Sequence, residues 1–130
     1  LKNLGKAFPF IKPYRSLAEV LIDHKLAALG DAYINFAYSL ALSIKKGQPS
    51  GAKVKGAVLA EAFRKAGLRE HMPSRVSCHM LADAAEALIV YAWLNEYISL
   101  DECVSILHKS EGSVEDFTKL LSTIKNRIKF

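Results

Sequence analysis

Apolar positions recur along this chain at intervals of three and four, and no strand-like alternation of useful length occurs. Residues 1–15, with Gly5, Pro9 and Pro13, read as irregular or as holding at most one short helix. Ser16 followed by Glu19 is a capping-box signature, and a long helical pattern runs from there toward Lys46, bent near Gly30 and stopped by Gly47. Gln48-Pro49-Ser50-Gly51 reads as a loop. Residues 52–66 place Val54, Val58, Leu59, Ala62 and Phe63 on one face, with Gly67 as the stop, and residues 68–76 read as a charged connector. From His79 to about Tyr97 comes a second strongly apolar helix. Ser99 with Glu102 opens the next, through about Lys109; Gly112 breaks it. Ser113 opens the last, where Val114, Phe117, Leu120, Leu121, Ile124 and Ile128 keep helical spacing. The expected fold is all-α: a compact helical bundle in a single domain over 1–130, with residues 16–97 as its core and 98–130 as its C-terminal helices.

Two of the most apolar stretches carry acids. LAALGDAYINFAYSLAL contains Asp31, and MLADAAEALIVYAWL contains Asp83 and Glu86. A buried carboxylate without a partner costs several kcal/mol, so it neutralises, finds a cation or holds a metal. Asp83 and Glu86, three residues apart, sit about 60° apart around a helix, and His79 shares the face of Asp83. Oxygen ligands from two helices suit a hard cation, Mg²⁺ or Mn²⁺, which can activate water for attack on a phosphodiester. Zinc suits the pattern less, because neither cysteine pairs with a histidine at finger-like spacing. The plainer readings are ion pairs to arginines, exposure on a half-solvated helix, and, for Asp31, a local cap after Gly30. His24, His71 and His108 show no metal-like spacing, no glycine-rich phosphate loop occurs, and nothing marks a serine or cysteine nucleophile.

Charge adds a partner to this picture. The chain is 51% hydrophobic and 24% charged, ordinary for a globular protein, with a formal charge of +5. Lys45, Lys46, Lys53, Lys55, Arg64, Lys65, Arg69 and Arg75 lie within one basic block against only Glu61 and Glu70. Such a block fits a polyanion; the alternative is a solvated face balanced by the acidic stretch from 96 to 116. Cys78 and Cys103 form no CxxC motif and read as buried apolar residues, which makes a reducing, cytoplasmic setting the expectation. No uninterrupted apolar run precedes Pro9, and the run from 27 to 44 is broken by Asp31, so neither a signal peptide nor a membrane span is expected.

The residues around these acids resemble the ribonuclease III endonuclease domain. That family carries a signature close to NERLEFLGDAVL and, later, a segment close to ILADAFEALIGAIYLD. The corresponding stretches here are DHKLAALGDAYI (23–34) and HMLADAAEALIVYAWLN (79–95), with LAEAFRKAGL (59–68) and Arg75 between them in similar order. The resemblance covers about residues 16–97. It implies that Asp31, Asp83 and Glu86 are catalytic and bind Mg²⁺ or Mn²⁺, that the protein is a homodimer, and that it cleaves double-stranded or structured RNA. The basic block would then contact phosphates. The family's two signature glutamates, four and seven residues before the aspartate, are Ala27 and His24 here, and an aromatic that helps dimer contact is Ala28. The Mini-ribonuclease III branch is similar in its pared-down signature and lack of a double-stranded-RNA-binding domain. These departures also imply an alternative: a catalytically impaired module that still dimerises and binds RNA or a ribosomal partner.

Overall fold

The computed structural model describes residues 8–109 and 113–130, and among these every regular element is helical. Helix α1 is Leu17–Leu21, α2 His24–Lys46, α3 Gly56–Lys65, α4 Cys78–Leu94, α5 Leu100–Leu107 and α6 Val114–Arg127, with a single 3₁₀ turn at Arg69–His71. The all-helical expectation holds. The break expected at Gly112 lies outside the described residues.

Side-chain caps set most helix starts. Ser16, Asp23, Ser77, Ser99 and Ser113 each accept a hydrogen bond from a first-turn backbone N–H of the helix that follows. This satisfies donors that no intrahelical carbonyl can reach. The box at Ser99 is reciprocal, with Glu102 accepting from the Ser99 N–H at 3.3 Å. At Ser16 the return bond goes instead from the Arg15 N–H to Glu19, at 2.7 Å.

The helix expected to about Tyr97 ends at Leu94, and two helix starts also differ from the sequence reading. The long helix expected from Ser16 is divided at Ile22, because Asp23 caps a new start by accepting from the Leu26 N–H at 3.0 Å. Asp23 is held there by the Tyr14 hydroxyl at 2.5 Å and by Lys12 at 3.7 Å. Beyond that point α2 runs unbroken through Gly30 to Gly47, which ends it at φ 71°. The next helix starts at Gly56 rather than 52, because α2 takes up the polar backbone groups of the intervening segment. The Ser43 hydroxyl accepts from the Ser50 N–H at 2.8 Å, and that of Ser39 accepts from the Ala52 N–H at 2.9 Å. Ser39 also donates to the Ala52 carbonyl at 3.1 Å.

Helix α4 is the centre of the bundle. Residues on all its faces are buried, including Leu81, Ala84, Leu88, Ile89 and Ala92. It packs chiefly on α2 and α3, and also on α1 and α6. Phe63, Ile34 and Phe117 fill the space around it with no exposed surface. An Arg127–Glu102 pair, with bonds of 3.0 and 2.8 Å, ties α6 to α5.

The α2–α4 contact is a backbone contact. A Cβ placed on Gly30 would collide with the carbonyl oxygen of Glu86 and stand 2.5 Å from its carbonyl carbon. Neither atom belongs to a flexible side chain, so only glycine permits this approach. The crossing brings Asp31 on α2 beside Glu86 on α4. Replacing Gly30 with Ala should therefore push the helices apart. The expected loss is about 3 kcal/mol or more, a fall of about 10 °C in a thermal melt followed by circular dichroism; an unchanged midpoint would refute the backbone contact.

Candidate active site

Asp31, Asp83 and Glu86 come together on one cavity of about 370 Å³, lined also by His24, Ala27, Ala28, Lys53 and His79. Asp31 comes from the first third of α2, one residue past the Gly30 crossing. Asp83 and Glu86 come from successive turns of α4, as their spacing predicts. Asp31 and Asp83 are half-buried, and Glu86 is buried with 8% of its surface exposed.

The Glu86 carboxyl lies beside that of Asp31, and two carboxylates brought together in this way favour a proton held between them. Burial, the contact with Asp31, and the charges of Asp31 and Asp83 push the Glu86 carboxyl up from 4.5 to about 8, with the nearby Lys53 ammonium pulling the other way. Asp31 takes a hydrogen bond from the Asn35 amide at 3.1 Å. Asp83 lies between two imidazoles, with Nε2 of His79 at 3.6 Å and Nδ1 of His24 at 4.0 Å. Both histidines are exposed, so this side is the rim of the cavity.

Three oxygen-donor groups open to solvent have the chemistry a hard divalent cation selects. Their spacing is a different matter. Among the described residues no group of three His, Cys, Asp or Glu is placed to hold a metal ion. The donor set fits Mg²⁺ or Mn²⁺, while the arrangement seen is that of a proton-sharing pair with a third acid beside it. The arginine pairing considered from sequence is absent among the residues lining the cavity, where Lys53 is the cation.

The basic block does not form one surface patch at the acids. Lys53 alone of its members lines the cavity. Lys45 and Lys46 lie in the last turn of α2, Arg64 pairs with Glu61 at 3.3 Å, and Lys65 ends α3. Arg69 is half-buried and donates to the carbonyls of Pro73 and Ser74 at 3.0 and 2.8 Å, so its guanidinium holds the connector. Lys55 and Arg75 are exposed. Cys103 is buried as expected, but Cys78, the first residue of α4, is exposed.

Two site residues escape the sequence reading. His24 reaches Asp83 only because α2 and α4 run close together, which no spacing along the chain reveals. Asn35 lies one turn after Asp31, and that interval is the signal that could have marked it. Its Oδ1 accepts from the Val54 N–H at 2.8 Å while its Nδ2 donates to Asp31.

A model of the protein family described as Ribonuclease III matches residues 24–128, which takes in α2 through α6 and the whole acidic cavity. No curated protein matches the chain. No helix among the described residues is long and apolar enough to cross a membrane.

The raised Glu86 carboxyl makes stability depend on pH. Between 4.5, its ordinary value, and about 8 the folded protein holds a proton that the unfolded chain releases. Stability from this group is full below 4.5 and falls as pH rises to about 8. In chelator, Glu86→Gln should flatten this decline and raise stability at pH 8 by about 2 kcal/mol. Chemical denaturation at pH 5 and pH 8 measures it; parallel pH dependences for both proteins would contradict the shared proton.

Proposed function

The chain belongs to the ribonuclease III family, and we propose that it is a metal-dependent endoribonuclease that hydrolyses phosphodiester bonds in double-stranded or structured RNA. The observation that carries this reading is the meeting of Asp31, Asp83 and Glu86, from two helices, in one solvent-open cavity beside Lys53. In it Asp31, Asp83 and Glu86 would hold Mg²⁺ or Mn²⁺. Such an ion, when bound, supplies an activated water and neutralises charge developing on the phosphate. To act as a ligand Glu86 would have to give up the proton its raised pKa retains, which would make it the most sensitive of the three. Lys53 meets the phosphate from the α3 side of the cavity. Lys55, Lys65 and Arg75 contact the RNA backbone further out, together with Lys45 and Lys46, giving affinity and shape recognition without base readout.

A second reading has one observation in its favour. Ala27, one turn before Asp31, puts a methyl on the cavity wall where the resembling family signature has a glutamate. A module that binds RNA without cutting it would have this feature. Cleavage of long double-stranded RNA in Mg²⁺ or Mn²⁺, falling at least 100-fold in Glu86→Gln and Asp31→Asn, is the expected result. Retention of RNA by the wild type without cleavage would favour the binding module. Cleavage persisting in both variants would remove the acids from the mechanism.

The proposed assembly is a homodimer through α2. Leu29 and Phe36, 39% and 55% exposed, share a helix face with the half-buried Tyr33 and Leu40. The intervals of four, three and four residues make a seam suited to another helix. Phe36→Glu should shift the sedimentation coefficient from dimer to monomer; a wild type that sediments as a monomer would exclude the seam.

A further inference from the structure

The segment between α2 and α3 contains Gly47, Pro49 and Gly51, residues that give a connection no fixed course of its own. Yet it lies along α2 in register. Asn35, Ser39 and Ser43, at steps of four on the helix, accept from the backbone N–H groups of Val54, Ala52 and Ser50, at steps of two on the segment. The two repeats match in length. Four helical residues rise about 6.0 Å, and two extended residues about 6.6 Å. A chain running antiparallel to the helix can therefore be tied at each turn. Alternation follows from the extended backbone: Ser50, Ala52 and Val54 are half-buried, while Gly51 and Lys53 are exposed.

Asn35 is the rung nearest the acids and differs from the other two. The serine hydroxyls accept and donate through one oxygen, to the segment or their own helix, whereas the Asn35 amide accepts from the Val54 N–H with its oxygen and donates to Asp31 with its nitrogen. The Val54 bond fixes which end of the amide faces Asp31. Lys53 has its backbone held between the anchored Ala52 and Val54 and lines the cavity with Asp31, Asp83 and Glu86.

We propose that Asn35 is the positioning residue of this site: its amide orients Asp31 and, through the Val54 N–H, holds Lys53 at the cavity, where the ammonium contacts an RNA phosphate. Asn35 touches neither RNA nor water at the reacting bond; it acts through Asp31 and Lys53. The assignment rests on the nuclease reading above for the identity of the phosphate.

The test compares Asn35→Ala, Asn35→Asp, Lys53→Ala and the double variant Asn35→Ala/Lys53→Ala in the full chain, with folding checked by circular dichroism. Readouts are kcat and KM on long double-stranded RNA with Mg²⁺, the salt dependence of RNA retention in chelator, and hydrogen exchange at the Val54 amide. Lys53→Ala should lower kcat about tenfold and Asn35→Ala more, since it also releases Asp31, and each should remove about one phosphate contact from the salt slope. The double variant should be scarcely worse than Asn35→Ala, because both changes remove the same contact. Val54 exchange should rise in Asn35→Ala and stay protected in Lys53→Ala. Asn35→Asp, which keeps the acceptor and loses the donor, should protect Val54 while still lowering kcat through Asp31. Unchanged Val54 exchange in Asn35→Ala, or multiplying effects in the double variant, would overturn the proposal. A wild type that cuts no RNA would instead sink the nuclease reading, and the exchange and salt-slope results would still decide the positioning role.

Discussion

The contact of Gly30 with the backbone of Glu86 governs the arrangement of everything around it. Helices separated by ordinary side chains stand 8–10 Å apart. With no Cβ at Gly30, α2 settles onto α4, and the next residue along α2 meets the side chain it approaches. The same closeness carries His24 to Asp83 one helix end away. Burying Glu86 costs free energy, and the surrounding core is what offsets it: from Leu81 on, most of α4 is buried against α1, α2, α3 and α6. An unpaired acid in a loosely packed helix would move out to water; here the helix has nowhere to rotate.

Much of this was legible in the sequence, and the reason it was legible is local. Ser77, Ser99 and Ser113 act within three residues of themselves, so caps and helix starts can be read from short windows. The acids stood out because charge inside an apolar run conflicts with packing wherever the run folds. What escaped depends on partners far along the chain. The pattern of Val54 and Val58 suits a helix from 52 onward, but Asn35, Ser39 and Ser43 capture that stretch from 7–19 residues away and keep it extended. The division at Asp23 has the same origin, since Tyr14 and Lys12 hold its carboxylate from outside the helix.

The basic block shows how sequence proximity overstates spatial proximity. Eight cations within some thirty residues suggested one polyanion-binding patch, yet they go to different tasks. Arg69 ties down the connector, and Arg64 answers Glu61. Lys45 and Lys46 occupy the last turn of α2, where the helix dipole favours positive charge. Lys53 alone reaches the acids. Net charge therefore says that a polyanion would be attracted, while the location of a single lysine says where its phosphate could be met.

Ala27 changes what the remaining acids require. It sits on the cavity wall one turn before Asp31, and a fourth carboxylate there would add a like charge to a cluster that already needs a proton to be stable. Without it Asp31 and Glu86 lie side by side, and a cation bound as proposed would meet fewer protein oxygens and more waters. Affinity for a hard cation is tuned by the number of ligand charges and the rigidity of the site. If these acids hold a cation as proposed, one acid fewer would leave rigidity to carry more of the task, and the Asn35 bond to Asp31 would supply it at the one acid that α4 does not hold. The reduced acid set and the polar ladder along α2 are in this sense one arrangement. A site with fewer charges depends more on how firmly each is placed.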